Sequence, residues 1–172
     1  MQEEERPQNT YDFFFLGGTN NSYGFETNLG IVYEIKFKPS PYLFPSESEY
    51  SANAFEFAIE VFLNPNPTSP PFDKKSSKTI AYIFEDFYQR NIETVTIYLC
   101  DSSDGRQMVR HRKFNIWFDE FNQEEYLKLD RILKDIHGNI FPTSLIMKHS
   151  NPFKEQIIHE FEAITDGYGT DK

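Results

Sequence analysis

Apolar and polar residues alternate along two stretches of the chain, and a period of two predicts β-strands. In the first, Ile31, Tyr33, Ile35 and Phe37 point one way while Glu34, Lys36 and Lys38 point the other. In the second, Phe55, Phe57, Ile59, Val61 and Leu63 alternate with Glu56 and Glu60 across 54–63. The first reads as a half-buried antiparallel strand with one wet face, and the second as another one-sided strand. The first is the second arm of a hairpin whose other arm is Tyr23–Thr27, turning at Asn28-Leu29-Gly30. Tyr11–Leu16 predicts a further strand before a Gly-Gly and Asn-Asn loop. Pro39-Ser40-Pro41 stops the hairpin, because proline cannot donate to a ladder. A polar loop follows over 45–53, and 64–77 is a second loop with four prolines.

Beyond Ser77 the period changes. Ile80, Ile83, Phe84 and Phe87 recur at helical spacing and predict a helix over Lys78–Arg90. Val95–Cys100 is short, apolar and β-branched, an interior strand. A helix begins after it near Ser103 or Asp104, either of which can cap it. Its Phe114, Trp117, Phe118 and Phe121 lie at i, i+3, i+4 and i+7, a core-facing stripe. The next segment supports two readings. Tyr126, Leu129, Ile132 and Ile136 suit a helix, with Asn122 and Glu125 as a capping box. Gly138-Asn139 instead suits a hairpin turn into a strand over Ile140–Lys148, and the hairpin is favoured. Asn151-Pro152 pairs an N-cap with proline at the first helical position, opening a last helix with Phe153, Ile157, Phe161 and Ile164 on its buried face. The expected fold is α+β: an antiparallel-rich sheet with about three helices packed mainly on one face. One domain is expected over 11–165, between a disordered N-terminus (1–10) and a C-terminal tail (166–172).

Composition narrows the classes. The 172 residues include 18 Phe and 10 Tyr, so the core is expected to be rich in rings. No apolar run is long enough to span a bilayer, and the acidic start MQEEERPQNT is unlike a signal peptide. With the single Cys100 unable to form an internal disulfide, a cytoplasmic location is expected. The formal charge of −10 opposes non-specific nucleic-acid binding and suits a basic protein partner, although acidity also serves solubility alone.

Candidate chemistry centres on Val95–Phe121, where a strand, the DSSDGR turn and a basic helix follow one another. On a helical wheel of about 100° per residue, Arg106, Arg110 and Lys113 form a basic ridge at the N-terminal half of the ring stripe. His111 lies at the other edge, and Arg112 faces solvent. Ser102, Ser103, Asp104, Gly105, Arg106, Arg110, His111 and Lys113 are therefore the candidate anion-binding set, with turn N–H groups and the helix dipole adding to formal charge. A nucleotide or RNA phosphate would suit it, though the GxxxxGK[ST] pattern of a P-loop is absent. The plainer reading is a structural ion pair, with Asp101 or Asp104 neutralising Arg110 and locking strand to helix.

Other sets carry less. His111 as a general base, assisted by Tyr98 or Lys113, competes with simple packing. Asp101, Asp104 and Ser102 offer Mg²⁺ oxygen ligands but lack a third carboxylate. Glu34-Ile35-Lys36 resembles a metal-nuclease ending, but alternating charges on a wet strand face explain it. His137, His149 and His159 lack metal-ligand spacing, and the Cys100 thiolate is disfavoured beside Asp101. No cofactor or metal is expected. Surface aromatics such as Tyr42, Phe62 and Phe72 could build an interface.

Five segments carry a resemblance: Tyr33–Phe44 (YEIKFKPSPYLF), Thr79–Phe84 (TIAYIF), Tyr98–Arg106 (YLCDSSDGR), Arg110–Phe114 (RHRKF) and Ser144–Pro152 (SLIMKHSNP). Through them the chain resembles, over roughly residues 23–165, a family of small Bacteroidota proteins known as a domain of unknown function. The resemblance implies a single domain and transfers no catalytic residue. Comparable small proteins resemble toxin–antitoxin or defence components. The first expectation is thus an acidic interaction protein of a toxin–antitoxin, immunity or phage-defence module. The second is an RNA- or nucleotide-binding protein, including a metal-independent ribonuclease, acting through the basic helix. Whether the protein is an enzyme, and its oligomeric state, stay open on sequence alone.

Overall fold

A computed structural model describes residues 9–68, 73–100 and 103–167. The fold is α+β, with three helices and one seven-stranded, mostly antiparallel sheet. The strands are β1 (Phe13–Gly17), β2 (Ser22–Glu26), β3 (Val32–Pro39), β4 (Ala54–Leu63), β5 (Val95–Leu99), β6 (Tyr126–Lys134) and β7 (Ile140–Lys148). The helices are α1 (Lys74–Gln89), α2 (Gln107–Phe121) and α3 (Lys154–Gly167). Sheet order is β1-β2-β3-β4-β5-β7-β6, and β4 with β5 is a parallel pair. The chain divides into two compact units, Met1–Lys36 with Ile59–Arg90, and Phe37–Ala58 with Asn91–Lys172. Most of the expected disordered N-terminus (1–8) and most of the expected tail (168–172) lie outside the described residues.

In the first unit, β1, β2 and the start of β3 form an antiparallel meander. Its rings stack in series, Tyr11 on Phe25 and Phe25 on Tyr33. α1 is tied to this surface by polar bonds. The Tyr23 hydroxyl donates to Asp86 at 2.6 Å, and the Tyr11 backbone N–H donates to Thr79 Oγ1 at 2.9 Å. α1 starts four residues before the expected Lys78, because the Asp73 carboxylate accepts the Ser76 N–H and caps it. The Glu34 and Lys36 side chains form a surface charge ladder, with Lys36 Nζ 2.6 Å from Glu60. That accounts for the Glu34-Ile35-Lys36 motif without chemistry.

In the second unit the register sorts residues into two faces. Across β4, β5, β7 and β6, one row reads Ala54, Val95, Met147, Leu127, and the next reads Glu56, Ile97, Leu145, Leu129. This face packs on Ile157 and Phe161 of α3, with Phe44 and Tyr50 completing the core. Rows on the opposite face read Phe57, Tyr98, Ser144, Asp130 and Phe55, Thr96, Ile146, Lys128. α2 covers that face, its Phe114 ring 4.3 Å from Tyr98 and 6.3 Å from Phe57 between centroids. Thus α2 and α3 lie on opposite sides of the sheet here. The hairpin reading of 126–148 holds, and the residues proposed as a helix-opening capping box do something else. Asn122 ends α2, with its side chain bonded to both the N–H and the C=O of Tyr126. Asn151 accepts the Phe153 N–H at the start of α3, which then runs to Gly167, past the expected end at 165.

Leu145 is fully buried between β5 and β6, so Leu145→Ala should cost about 2–5 kcal/mol in urea unfolding. Ile136→Ala, at a residue 88% exposed in the β6–β7 turn, should stay within about 0.5 kcal/mol of wild type.

Candidate functional site

The end of β5 delivers the chain into the turn that precedes α2. Asp101 and Ser102 lie outside the described residues, so the anion-binding set is described here from Ser103 onward. Gly105 takes a φ of +68°, a left-handed conformation that suits glycine at this tight turn. Neither Ser103 nor Asp104 caps the helix. Arg106 occupies the N-cap position, without a side-chain cap bond. The Asp104 carboxylate instead accepts the Arg106 N–H at 3.0 Å and both terminal nitrogens of the Arg110 guanidinium, Nη1 at 2.8 Å.

This is a bidentate pair between partly exposed side chains, joining the turn to the first turn of α2. Arg110, aided by the Arg106 N–H, pulls the Asp104 carboxyl down to about 2. The turn therefore brings its own anion to the place where a phosphate would sit. Arg106, Arg112 and Lys113 are exposed.

His111 does not join this basic group. It points with Gln107 and Asn115, one and two helical turns apart, toward the sheet face beneath α2. Asn115 Nδ2 lies 3.2 Å from His111 Nε2. His111 Nδ1, Asn115 Oδ1 and Gln107 Oε1 are buried without a hydrogen-bond partner among the described residues. Below them β6 supplies two residues that sequence reasoning missed, Lys128 and Asp130. Lys128 Nζ sits 2.6 Å from Asp130 and 5.7 Å from the centre of the Phe118 ring. Ser144 Oγ of β7 donates to Asp130 at 2.6 Å. Burial pushes the Asp130 carboxyl up, but the Lys128 ammonium and the Ser144 hydroxyl outweigh it and leave it lowered. Burial lowers His111, Asp130 opposes that shift, and Lys128 reinforces it.

Tyr98 and Cys100 share a hydrogen bond at the same end of β5, and burial raises both above their ordinary values. Cys100 is therefore a packed thiol and not an activated nucleophile. His111 lies beside the Lys128–Asp130 pair, which is neutralised internally. Among the described residues no group of three or more His, Cys, Asp or Glu could hold a metal ion. None of the described helices is long and apolar enough to cross a membrane.

Residues 72–163, more than half of the chain, match a family of unknown function (DUF6169). The chain belongs to that family. The match takes in α1, β5, α2, β6, β7 and most of α3, and so includes four of the five resembling segments. The fifth, Tyr33–Phe44, falls outside it, and the match is shorter than the 23–165 span expected from sequence. No curated protein and no solved structure matches the chain.

Because the Asp104 value in the fold lies below its unfolded one, the pair's contribution is present above the unfolded value and is lost as pH falls toward about 2. Carbon-detected NMR titration should place the wild-type Asp104 carboxyl near 2. Arg110→Gln should return it toward about 3.9, the unperturbed value, while Arg106→Ala, which keeps the backbone donor, should leave it low.

Proposed function

We propose that the chain is an acidic interaction protein that docks a basic partner protein in the cytoplasm. A toxin–antitoxin, immunity or phage-defence module would supply such a partner. The observation that carries this reading is the end strand of the sheet. Among the described residues β1 hydrogen-bonds to β2 alone and ends the strand order. It carries Phe14, Phe15 and Leu16 in succession, all exposed, with Leu16 at 64%. Soluble proteins usually blunt an open edge with charge, proline or a cover. The Arg90 guanidinium lies over the Phe15 ring, 3.9 Å from its centre, while the outer backbone edge of β1 can take an extended segment, with backbone bonds giving affinity and side chains giving choice. A net charge of −10 favours a segment from a basic protein and speeds the encounter.

The alternative is RNA or nucleotide binding through the basic helix. It draws on the exposed Arg106, Arg112 and Lys113. The Asp104 carboxylate inside the same turn opposes it, as does the overall charge.

The test is affinity capture from the source cells with wild type and a Phe14→Ser/Leu16→Ser double variant. Both positions are exposed, so the variant should keep its melting temperature. Wild type should retain a basic protein whose release increases with salt, and the variant should lose it. Equal retention by both, or no basic protein with either, would overturn the reading.

A further inference from the structure

The second unit holds a half-open cleft of about 730 Å³ beside α3. Its walls are mostly apolar, with Phe44, Ile97, Leu133 and Phe161 among them, and Tyr42 stands exposed at the rim. One wall residue breaks the pattern. Glu56 is the single charged residue lining the cleft among the described residues. It stands in the row Glu56, Ile97, Leu145, Leu129, where the other three positions are apolar and the preceding row is wholly apolar.

The carboxylate is half-buried, and no described residue forms a hydrogen bond or an ion pair with it. Three other acidic side chains of this unit have close partners. Asp130 has Lys128 and Ser144, Glu162 has Arg131, and Glu125 has Lys148. The two wall threonines do not serve Glu56 either, since Thr143 and Thr165 donate to the backbone oxygens of Phe141 and Phe161. With no described partner, the carboxylate at the edge of these apolar walls is a counter-ion open to a cationic guest.

We infer that the cleft binds the ammonium end of an amphipathic amine, with Glu56 as counter-ion and the apolar walls taking the alkyl chain. The aromatic rings of Tyr42, Phe44 and Phe161 would suit the same guest, since ring faces attract ammonium groups. A pocket of mostly apolar lining with one placed polar group is the usual form of a small-ligand site. The shared chemistry is a primary ammonium on an apolar chain, whether in a free amine or in a lysine side chain. The inference does not rest on partner docking at β1, for neither Glu56 nor Ala163 belongs to that strand.

The experiment is an NMR titration of the whole chain with hexylammonium, hexanol and hexanoate, three probes of equal chain length. Hexylammonium should bind at least about tenfold more tightly than hexanol, a preference of about 1.4 kcal/mol, and hexanoate should bind most weakly. Glu56→Gln should bring the amine down to the level of the alcohol. Ala163→Phe, at an exposed position on the cleft wall, should weaken all three while the fold persists. A blocked lysine derivative separates the two sources. Binding as tight as hexylammonium assigns the site to a protein-borne lysine, and weaker binding assigns it to a free amine. Equal affinity for amine and alcohol, an amine preference unchanged in Glu56→Gln, or no amine binding to wild type would overturn the inference.

Discussion

The register of β5 between β4 and β7 is the constraint on which the second unit depends. Val95 and Ile97 face α3, while Thr96 and Tyr98 face α2. A slip of β5 by one residue would exchange the two sets and turn the Thr96 and Tyr98 hydroxyls toward the apolar core. Because β5 is flanked on both edges and covered on both faces, that exchange has no low-cost solution. The same register puts Glu56 in an apolar row, and the β6–β7 pairing sets Asp130 opposite Ser144. It also fixes where the strand hands over to the turn before α2. Core, cleft and turn are thus three consequences of one pairing pattern.

At that turn, charge decides the chemistry. An arginine on a partly apolar helix face needs an anion, and the nearest is the carboxylate of Asp104, six residues back. The turn thus acquires an internal ion pair that engages the Arg110 guanidinium. Beneath α2 a second internal pair, Lys128 with Asp130, occupies the space next to His111. Both of these polar centres carry an internal ion pair, whereas the proposed binding surfaces are the β1 edge and the Glu56 cleft.

Much of this was legible in the sequence. The alternation of Ile31, Tyr33, Ile35 and Phe37 gave β3, whose face is almost fully buried, and Pro39 closes it. Phe114 and Phe118 are the buried part of the predicted ring stripe, with Trp117 and Phe121 half-buried beside them. β6 was ambiguous for a physical reason. Its apolar Leu127, Leu129 and Leu133 alternate as a strand, but Tyr126, Leu129 and Ile132 also fit a helical stripe. Only the pairing with β7 decides between them, and Lys128 and Asp130 could not be placed beside His111 without it. Helix starts were displaced by side-chain choices. Asp73 caps α1, whereas Asp104 is diverted from capping by Arg110. The cleft had no local signature, since Glu56 looked like one more polar residue on a wet face.

The most direct test of the self-neutralised turn is calorimetric titration of the wild-type chain with inorganic phosphate, mononucleotides and a short RNA at low salt. The account predicts no measurable binding at the turn, because the Asp104 carboxylate already occupies the Arg110 guanidinium. Salt-sensitive binding by wild type that Arg106→Ala weakens, with the melting temperature unchanged, would contradict it and make the turn an anion site after all.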